Sequence, residues 1–395
     1  MRVVAAILMY GLVLGLCSVV HAVTWHVPSP ECPTIQAGVD SASAGDTVLV
    51  ACGTYHDCTY PDPDGQLNCV IMKSGVCLRS ATGQPDCVTI DAQNLGRVVY
   101  CVGANNTTRI EGFTITGGLV TTFPYPKYCG GGIYLSASAP TIESCVISGN
   151  TAENGGGIFC FNSALRGMSR PTLLTISNCI ISDNTADFYG GGGITFVNCS
   201  GSMVTDCIIS RNSVDANWGG GIRCDNSSPS MTYCAVFRNY AHAGGGMACR
   251  NGASPVISYC TFSGNSVGSA GAGVLNDEAS VSLFNSIIAF STAGEAVYCM
   301  NGGSASLMCC DVYGNAGGDW VDCIAGQSGV DGNISECPLF CAQGDDNYYL
   351  ELCSPCVAGY GCGQMGAYGS GCPCVGGPSA VEKKTWSRVK SEFND

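Results

Sequence analysis

The stretch CVISGNTAENGGGIFC, residues 145–160, holds the pattern that decides the fold: a Cys, alternating apolar residues, an Asn, a small polar turn and three glycines. It returns as CIISDNTADFYGGGGI from residue 179, CIISRNSVDANWGGGI from 207 and CAVFRNYAHAGGGMAC from 234. The first Cys recurs at steps of 34, 28, 27, 26, 26 and 24 residues, with Ser once in its place: Cys145, Cys179, Cys207, Cys234, Cys260, Ser286 and Cys310. The Asn follows five residues later, except where Ser291 stands: Asn150, Asn184, Asn212, Asn239, Asn265 and Asn315.

The apolar residues of one unit alternate over three short runs. One example is Ile158 and Cys160, then Thr172 to Ile176, then Cys179 and Ile181. Alternation with a period of two predicts short β-strands that each bury one face. A unit of about 26 residues cannot bury that face alone, whereas stacked units bury it between them. The sequence therefore predicts an all-β fold, a right-handed parallel β-helix (solenoid) with three short strands per coil, glycines at the tight turns and a stacked Asn column.

The N-terminal residues have the pattern of a cleaved secretory signal. Arg2 precedes an apolar run from Val3 to about Val20, and small residues at Val20 and Ala22 suit a cleavage site. No later segment is long and apolar enough for a transmembrane helix. Of the 29 cysteines one lies in this segment, so 28 remain, and an even number in an exported chain favours disulfides. We expect a secreted or cell-surface protein. The same features are compatible with association with an outer membrane.

The charge of the chain excludes one class of partner. The net charge is −14, or −15 once Arg2 is removed with the signal, and the basic residues are scattered. Nucleic acid binding would need a clustered basic face. An acidic polysaccharide would be repelled unless Ca²⁺ bridged it to the protein.

Two motifs carry a resemblance to known families. The segment PTIQAGVDSASAGDTVLVACGTY, residues 33–55, and the coils with their Gly runs resemble the pectate-lyase-like right-handed parallel β-helix superfamily. The GGGI and SxNxA phrases are similar to the repeats of chlamydial-type polymorphic outer membrane proteins. The resemblance implies a helical N-terminal cap over Ile35 to Ala42. It implies little about activity, because this fold hosts lyases, hydrolases, esterases, tail-spike proteins, adhesins and passive surface proteins.

The repeat divides the chain into six predicted parts. A Cys-rich C-terminal cap is expected because an uncovered terminal coil would be a template for aggregation. The parts are a signal peptide (1–22), a first strand and N-terminal cap (23–45), irregular coils (46–128), regular coils (129–318), Cys-rich closing coils (319–374) and a hinge with a tail (375–395).

A second Cys column follows the Gly runs, and its members are present or absent together with the first column. Asn276 and Ser286 replace both members in one coil. This favours disulfides within coils, and the alternative is that both columns are small apolar stacks in the core. Bonds between adjacent coils are less attractive, because in-register Cβ atoms lie about 4.8 Å apart against the roughly 3.8 Å of a disulfide. The candidate pairs are Cys160 with Cys179, Cys199 with Cys207, Cys224 with Cys234, Cys249 with Cys260, and Cys299 with Cys310.

No catalytic or metal-binding residue is predicted. A Ca²⁺-dependent lyase would need clustered carboxylates beside a Lys or Arg base. The charged columns instead mix signs, as in Asp183, Arg211 and Arg238 or Asp225, Arg250 and Asp277, which is typical of cross-coil ion pairs. His26, His56 and His242 are far apart in the sequence and lack an elbow motif. The sequence thus favours a protein that is not an enzyme.

One outer feature predicts a binding role. Aromatic side chains precede successive Gly runs, and stacked on one edge they would form an aromatic ridge: Phe188, Tyr189, Trp218, Tyr240 and His242. Such a ridge suits flat sugar faces or a protein partner. We therefore expect non-catalytic binding or adhesion to glycans or protein partners. The alternatives are a polysaccharide-active enzyme of the pectate-lyase-like group, with Ca²⁺ as its cofactor if a lyase, and a purely structural surface protein.

Overall fold

The computed structural model describes residues 22–120, 128–162, 173–358 and 361–374. Their main body is a stack of parallel coils, in which each coil adds one strand to each of three long sheets. We number the sheets in chain order within a coil. Sheet 1 contains Tyr60–Pro61, Leu67–Ile71, Arg97–Val102, Ile133–Ser136, Ile158–Phe161, Ile194–Val197, Ile222–Asp225, Met247–Arg250, Val274–Asp277 and Val297–Met300. Sheet 2 contains Thr24–Val27, Thr47–Val50, Cys77–Ser80, Arg109–Glu111, Thr141–Glu143, Thr175–Ser177, Met203–Thr205, Ser230–Thr232, Val256–Ser258, Ser280–Phe284 and Ser304–Met308.

The third long sheet and a shorter fourth sheet complete the coils. Sheet 3 contains Gly53–Tyr55, Val88–Asp91, Thr114–Thr116, Val146–Ser148, Ile180–Ser182, Ile208–Ser210, Ala235–Phe237, Thr261–Ser263, Ile287–Ala289 and Asp311–Tyr313. Sheet 4 contains Leu119–Val120, Thr151–Asn154, Thr185–Gly190, Ser213–Val214, Tyr240–Ala241 and Ser266–Val267. The predicted parallel β-helix is confirmed. Sheet 4 adds a fourth strand to six of the coils, which the sequence did not predict.

The interior of the coils is an apolar stack in strict register. In sheet 1, Ile158 pairs with Ile194, Ile194 with Ile222 and Ile222 with Met247. All four side chains are fully buried. Each large aliphatic side chain buried in this way contributes about 1.5–3 kcal/mol to the free energy of folding, which a single isolated coil could not obtain.

The predicted Asn column forms a buried hydrogen-bond ladder after sheet 3. The Asn212 side-chain nitrogen donates to the Asn239 side-chain oxygen (3.0 Å) and to the Ile181 carbonyl (2.9 Å). The Asn212 backbone N–H donates to the same Asn239 oxygen (2.9 Å), and Asn184 binds Asn212 in the same manner. The ladder satisfies buried polar groups at the turn that no sheet can satisfy.

The Gly runs are required by the turn into sheet 1. Gly219 has a φ of 80°, a region that side chains other than Gly rarely adopt. A Cβ atom on Gly221 would lie 2.7 Å from the Gly246 carbonyl oxygen of the next coil, so the coils approach too closely for any side chain there.

The N-terminal end of the solenoid is covered by the predicted helix, which spans Ile35–Ser41. Thr34 caps the helix, since its hydroxyl accepts a hydrogen bond from the Ala37 N–H (3.1 Å). Ile35 and Val39 are buried against the first coils. The N-terminal cap is thereby confirmed.

The C-terminal segment has two parts with different positions. A 3₁₀ helix, Asp322–Gln327, lies over the last coil, where the Gln327 amide accepts from the Leu307 N–H (2.8 Å). Residues 337–358 and 361–374 then fold back along the outer face of sheet 3 instead of adding coils. We call them the C-terminal arm. The arm contains the strands Phe340–Ala342, Asn347–Glu351 and Ser370–Cys372, the 3₁₀ turn Gln343–Asp345 and the helical turn Pro355–Ala358.

Five disulfides occur among the described residues, and four of them involve the C-terminal region. They join Cys52 to Cys87, Cys299 to Cys323, Cys309 to Cys362, Cys341 to Cys372 and Cys353 to Cys374. The bond between Cys309 and Cys362 ties the arm to the last coil. The prediction of a disulfide-rich C-terminal cap is confirmed, although most of this segment covers a side of the solenoid and not its end.

None of the five predicted within-coil cysteine pairs is bonded. Cys299 pairs with Cys323, and the other nine cysteines of those pairs are free thiols: Cys160, Cys179, Cys199, Cys207, Cys224, Cys234, Cys249, Cys260 and Cys310. The two columns serve different parts of the coil. Cys207, for example, follows sheet 2 and donates its S–H to the Thr205 carbonyl (3.1 Å). Ser286 donates to the Phe284 carbonyl in the same way (2.8 Å), so this column selects a small donor and not a disulfide.

Two predicted segments lie outside the described residues. They are the signal peptide, apart from Ala22, and the hinge and tail of residues 375–395. Within the described ranges, no helix is long and apolar enough to cross a membrane.

Candidate binding edge on sheet 4

In four successive coils, sheet 4 places one ionisable side chain on the outer edge, three residues after the ladder Asn. Ala152 pairs with Ala186 and Ala186 with Val214, and the residues that follow them are Glu153, Asp187 and Asp215. The pairing of Ser213 with Tyr240 continues this column to His242. Adjacent coils are about 4.8 Å apart, so the column is a row of closely spaced groups along the solenoid. We call Glu153, Asp187, Asp215 and His242 the acidic column.

Two carboxylates of the acidic column have a raised pKa, first through burial and then through a neighbouring charge. Partial burial, followed by the charge of Asp187, raises the pKa of Glu153 above its ordinary value. Burial and then the charge of Asp215 raise the pKa of Asp187. Within the described part of the chain, no basic side chain forms an ion pair with these three acids. The edge therefore repels anions and accepts hydrogen bonds from a bound partner.

A bulge pushes two aromatic side chains outward next to the acidic column. Between Ala186 and Gly190 the chain has three residues, whereas the preceding coil has only Glu153 at this place. The extra residues project from the ladder, and Phe188 is 54% exposed. The Phe188 and Tyr189 rings meet edge to face with centroids 5.2 Å apart.

Two coils further along, Tyr240 and His242 flank a notch at Gly268. The Tyr240 hydroxyl lies 3.6 Å, and the His242 Nδ1 3.5 Å, from the point that a Cβ on Gly268 would occupy. Both side chains are exposed, Tyr240 by 41%. Because Gly268 has no side chain, a hydroxyl or amine of a ligand can approach both polar groups at once.

Trp218, the remaining member of the predicted aromatic ridge, has a different environment. The Arg250 guanidinium lies 3.6 Å from the centre of the Trp218 ring, a close cation–π contact. The ring also packs beside Ala243, Ala248 and Leu275. One face of Trp218 is thus occupied, so the structure divides the ridge into a Phe188–Tyr189 pair and a Tyr240–His242 pair with Trp218 packed between coils.

The side chains of the edge can contact a ligand in two ways. Aromatic faces pack on apolar surfaces of a ligand, and carboxylates accept hydrogen bonds from hydroxyls and amines. Among the described residues, only two groups of three potential metal ligands lie within 4.8 Å of one another, and each contains two bonded cysteines: Cys299, Asp322 and Cys323, and Glu351, Cys353 and Cys374. Bonded sulfurs are not thiolate ligands, so neither group fits Ca²⁺ or Zn²⁺.

The arginines of the charged columns, which are the candidates for the base of a lyase, form ion pairs. Arg211 contacts Asp183 (3.2 Å) and Asp346 of the arm (2.6 Å), and Arg238 contacts Asp346 (2.9 Å). In the other column, Arg250 contacts Asp277 (3.2 Å). These arginines hold coils and arm together, as the expected cross-coil ion pairs do.

The acidic column was not predicted from the sequence, although the spacing of its residues indicates it. The residues three positions after Asn150, Asn184, Asn212 and Asn239 read Glu, Asp, Asp and His. That offset becomes meaningful only once sheet 4 is known, because it then places all four side chains on the same outer edge. The ion pairs of Asp346 with Arg211 and Arg238 have no such signal, since they join residues more than 100 positions apart.

Comparisons with known proteins agree with the fold. The family model described as right handed beta helix region matches residues 97–287. The crystal structure of pectate lyase Pel9A is similar with a TM-score of 0.49 and 13% sequence identity, covering 88% of this chain and 96% of that chain. No curated protein sequence matches the chain significantly. The resemblance to right-handed β-helix proteins is confirmed for the fold, and the resemblance to polymorphic outer membrane proteins stays a prediction.

Proposed function

We propose that the protein is a secreted or surface-exposed β-helix protein that binds a neutral glycan, without cleaving it, along the edge of sheet 4. The observation that carries the proposal is the row of Glu153, Asp187 and Asp215 with exposed aromatic rings beside it. An extended polymer with regularly spaced hydroxyls can meet similar groups on successive coils. The five disulfides are compatible with an extracellular location.

Charge decides between classes of glycan. The chain has a net charge of −14, and the edge adds three closely spaced carboxylates. An acidic polymer would be repelled, whereas neutral hydroxyls can donate to the carboxylates and the sugar faces can pack on Phe188 and Tyr240. Arg223 donates to the Tyr189 carbonyl at this edge, but its side chain is buried and paired with Asp225, so it does not serve as a partner for an acidic sugar.

The test is a panel of polysaccharides with the purified mature protein. Neutral glucans, mannans, xylans and galactans are compared with polygalacturonate, with Ca²⁺ and with a chelator. Retardation in gels that contain each polymer reports binding, while absorbance of unsaturated products and reducing ends report cleavage. We expect retardation by at least one neutral polymer, unchanged by the chelator, and no product.

Two outcomes would contradict the proposal. Products that disappear with the chelator would identify a Ca²⁺-dependent lyase of the pectate-lyase-like group. Neither retardation nor product would favour a protein partner or a purely structural role.

A further inference from the structure

Two free cysteines lie unusually close to each other between adjacent coils. The Cys160 Sγ and the Cys199 Sγ are 2.6 Å apart, well inside the van der Waals contact of two sulfur atoms. Both residues are buried, with 1% and 0% of their surface exposed. A small movement separates this contact from the roughly 2.05 Å of a disulfide bond.

The repeat explains why this pair is close. Cys160 is the third residue of its sheet 1 strand, and Cys199 lies two residues beyond the sheet 1 strand of the next coil. The same two positions hold Cys101 and Ser138 in an earlier pair of coils, where the Ser138 hydroxyl donates to the Cys101 carbonyl (3.0 Å). The geometry of the coil thus makes these two positions neighbours. In the coils of Cys160 and Cys199, both positions hold a thiol.

We propose that Cys160 and Cys199 form a disulfide in the exported protein, a covalent bond between adjacent coils. The pair is diagonal, since the residue in register with Cys160 is Phe196. In-register cysteines are poorly placed for a bond, because their Cβ vectors are parallel and about 4.8 Å apart, and this diagonal pair does not share that geometry. Other cysteines of the chain are oxidised, so a disulfide here needs no change of compartment.

The bond forms by exchange with the disulfide of a thiol oxidoreductase. The Cys160 thiolate attacks that disulfide and gives a mixed disulfide, and the Cys199 thiolate then attacks the Cys160 sulfur. The sulfur–sulfur bond of Cys160 and Cys199 forms, and the oxidoreductase leaves as a dithiol that carries the two electrons. The cysteine protons pass to water, and the leaving thiolates take up two protons from it.

Because both cysteines become buried, the exchange has to take place before folding is complete. The contact with Cys199 and burial raise the pKa of the Cys160 thiol well above its ordinary value. A thiol that stays protonated in the closed core does not attack a disulfide. The bond must therefore form while these coils are still open.

The bond would join two parts of sheet 1 that directly follow strands of the proposed binding edge. Cys160 lies in the strand after Glu153, and Cys199 lies just beyond the strand after Asp187 and Phe188. This inference rests on the export that the proposed function includes but not on glycan binding, because it is argued from the two sulfur positions and an oxidising compartment.

Peptide mapping of the full chain, exported into an oxidising compartment, tests the proposal. The protein is denatured with an alkylating agent and no reductant, digested with trypsin and chymotrypsin, and analysed by mass spectrometry. We expect a cross-linked pair of peptides joined through Cys160 and Cys199. Recovery of both cysteines in alkylated form, with the bond between Cys52 and Cys87 intact in the same sample, would overturn it.

Two variants control for misassignment and misfolding. Cys199→Ser places at this position the residue that other coils have at Ser138 and Ser227, so the fold should tolerate it. In this variant Cys160 should become fully alkylated. Cys224→Ser changes another buried thiol of sheet 1 and should leave the cross-linked peptides unchanged. Loss of the cross-link in Cys224→Ser but not in Cys199→Ser would also contradict the assignment.

Discussion

The outer face of sheet 3 and the edge of sheet 4 belong to the same coils but have opposite surroundings. On sheet 3, the arm covers Phe237, which is 2% exposed, and the arm residue Asp346 forms ion pairs with Arg211 and Arg238. On sheet 4, Phe188 is 54% exposed and the acids beside it have no basic partner among the described side chains. On sheet 3 the aromatic and charged side chains are thus covered or paired by the arm. On sheet 4 an aromatic ring and carboxylates face solvent.

The difference separates residues that stabilise the fold from residues whose side chains stay accessible to a ligand. A buried aromatic ring contributes its apolar area to folding, and a neutralised charge fixes the position of a segment. An exposed aromatic ring beside unneutralised carboxylates contributes little to folding. Such residues are explained more simply by a ligand, which is why the proposed function is placed on sheet 4.

The largest expected difference between the two surfaces is in stability. Phe237 packs against Tyr348 of the arm with ring centroids 4.7 Å apart. We expect Phe237→Ala to lower the free energy of unfolding by about 3 kcal/mol. Phe188→Ala, its matched control on the exposed edge, should change it by no more than about 0.5 kcal/mol. Denaturant unfolding of both variants measures the difference, and equal losses would show that the arm is not packed on sheet 3.

The next effect is a pH dependence of stability that arises where the arm covers Asp311. Asp311 lies under the arm, where it accepts a hydrogen bond from the Cys356 thiol (3.2 Å), and burial raises its pKa to about 7 with help from the charges of Glu336 and Asp319. The folded chain therefore holds a proton that the unfolded chain, with a carboxyl pKa near 3.8, has lost. Stability should fall as pH rises from about 4 to about 7 and then stay level.

Asp311→Asn removes this titration. The melting temperature of the variant minus that of the unchanged protein should increase as pH rises from 5 to 8, because the variant avoids the cost of burying a charge. Asp183→Asn, a change of an exposed carboxylate, is the control and should show no such trend. A constant difference between Asp311→Asn and the unchanged protein across this pH range would contradict the raised pKa.

The smallest effect is expected from the ion pairs that hold the arm. Arg211 and Arg238 are each close to half exposed, so solvent and salt weaken their attraction to Asp346. We expect Arg238→Ala to cost at most about 1 kcal/mol, and less in high salt. Thermal unfolding at low and high salt checks this, and a large loss that salt does not reduce would show that Arg238 acts through packing.

Periodic features were the part of the fold that the sequence could predict. The columns through Cys207, Asn212 and Gly221 repeat because every coil must meet the same steric and hydrogen-bond conditions. The arm could not be predicted, since contacts such as Phe237 with Tyr348 join one coil to a segment without a repeat. The cysteine pairs were wrong for a related reason: co-occurrence of Cys in two columns reflects the repeat itself and not contact between the columns.

Of the candidate site, the sequence predicted the aromatic residues but not their surroundings. Phe188, Tyr240 and His242 lie on the outer edge, as expected. The bulge that exposes Phe188 depends on the register of sheet 4, and the contact of Trp218 with Arg250 depends on the packing of side chains across coils. Neither is encoded in the spacing of aromatic residues.

The most direct test of the proposed function compares two tyrosines of equal exposure. Tyr240 on sheet 4 is 41% exposed, and Tyr233, at the turn between sheets 2 and 3, is 42% exposed. Calorimetric titration with oligosaccharides of whichever neutral glycan retards the protein should give an affinity that falls at least about tenfold in Tyr240→Ala, a loss of about 1.4 kcal/mol. Tyr233→Ala should bind as the unchanged protein does. Equal affinity of Tyr240→Ala and the unchanged protein, or a loss confined to Tyr233→Ala, would contradict binding along the edge of sheet 4.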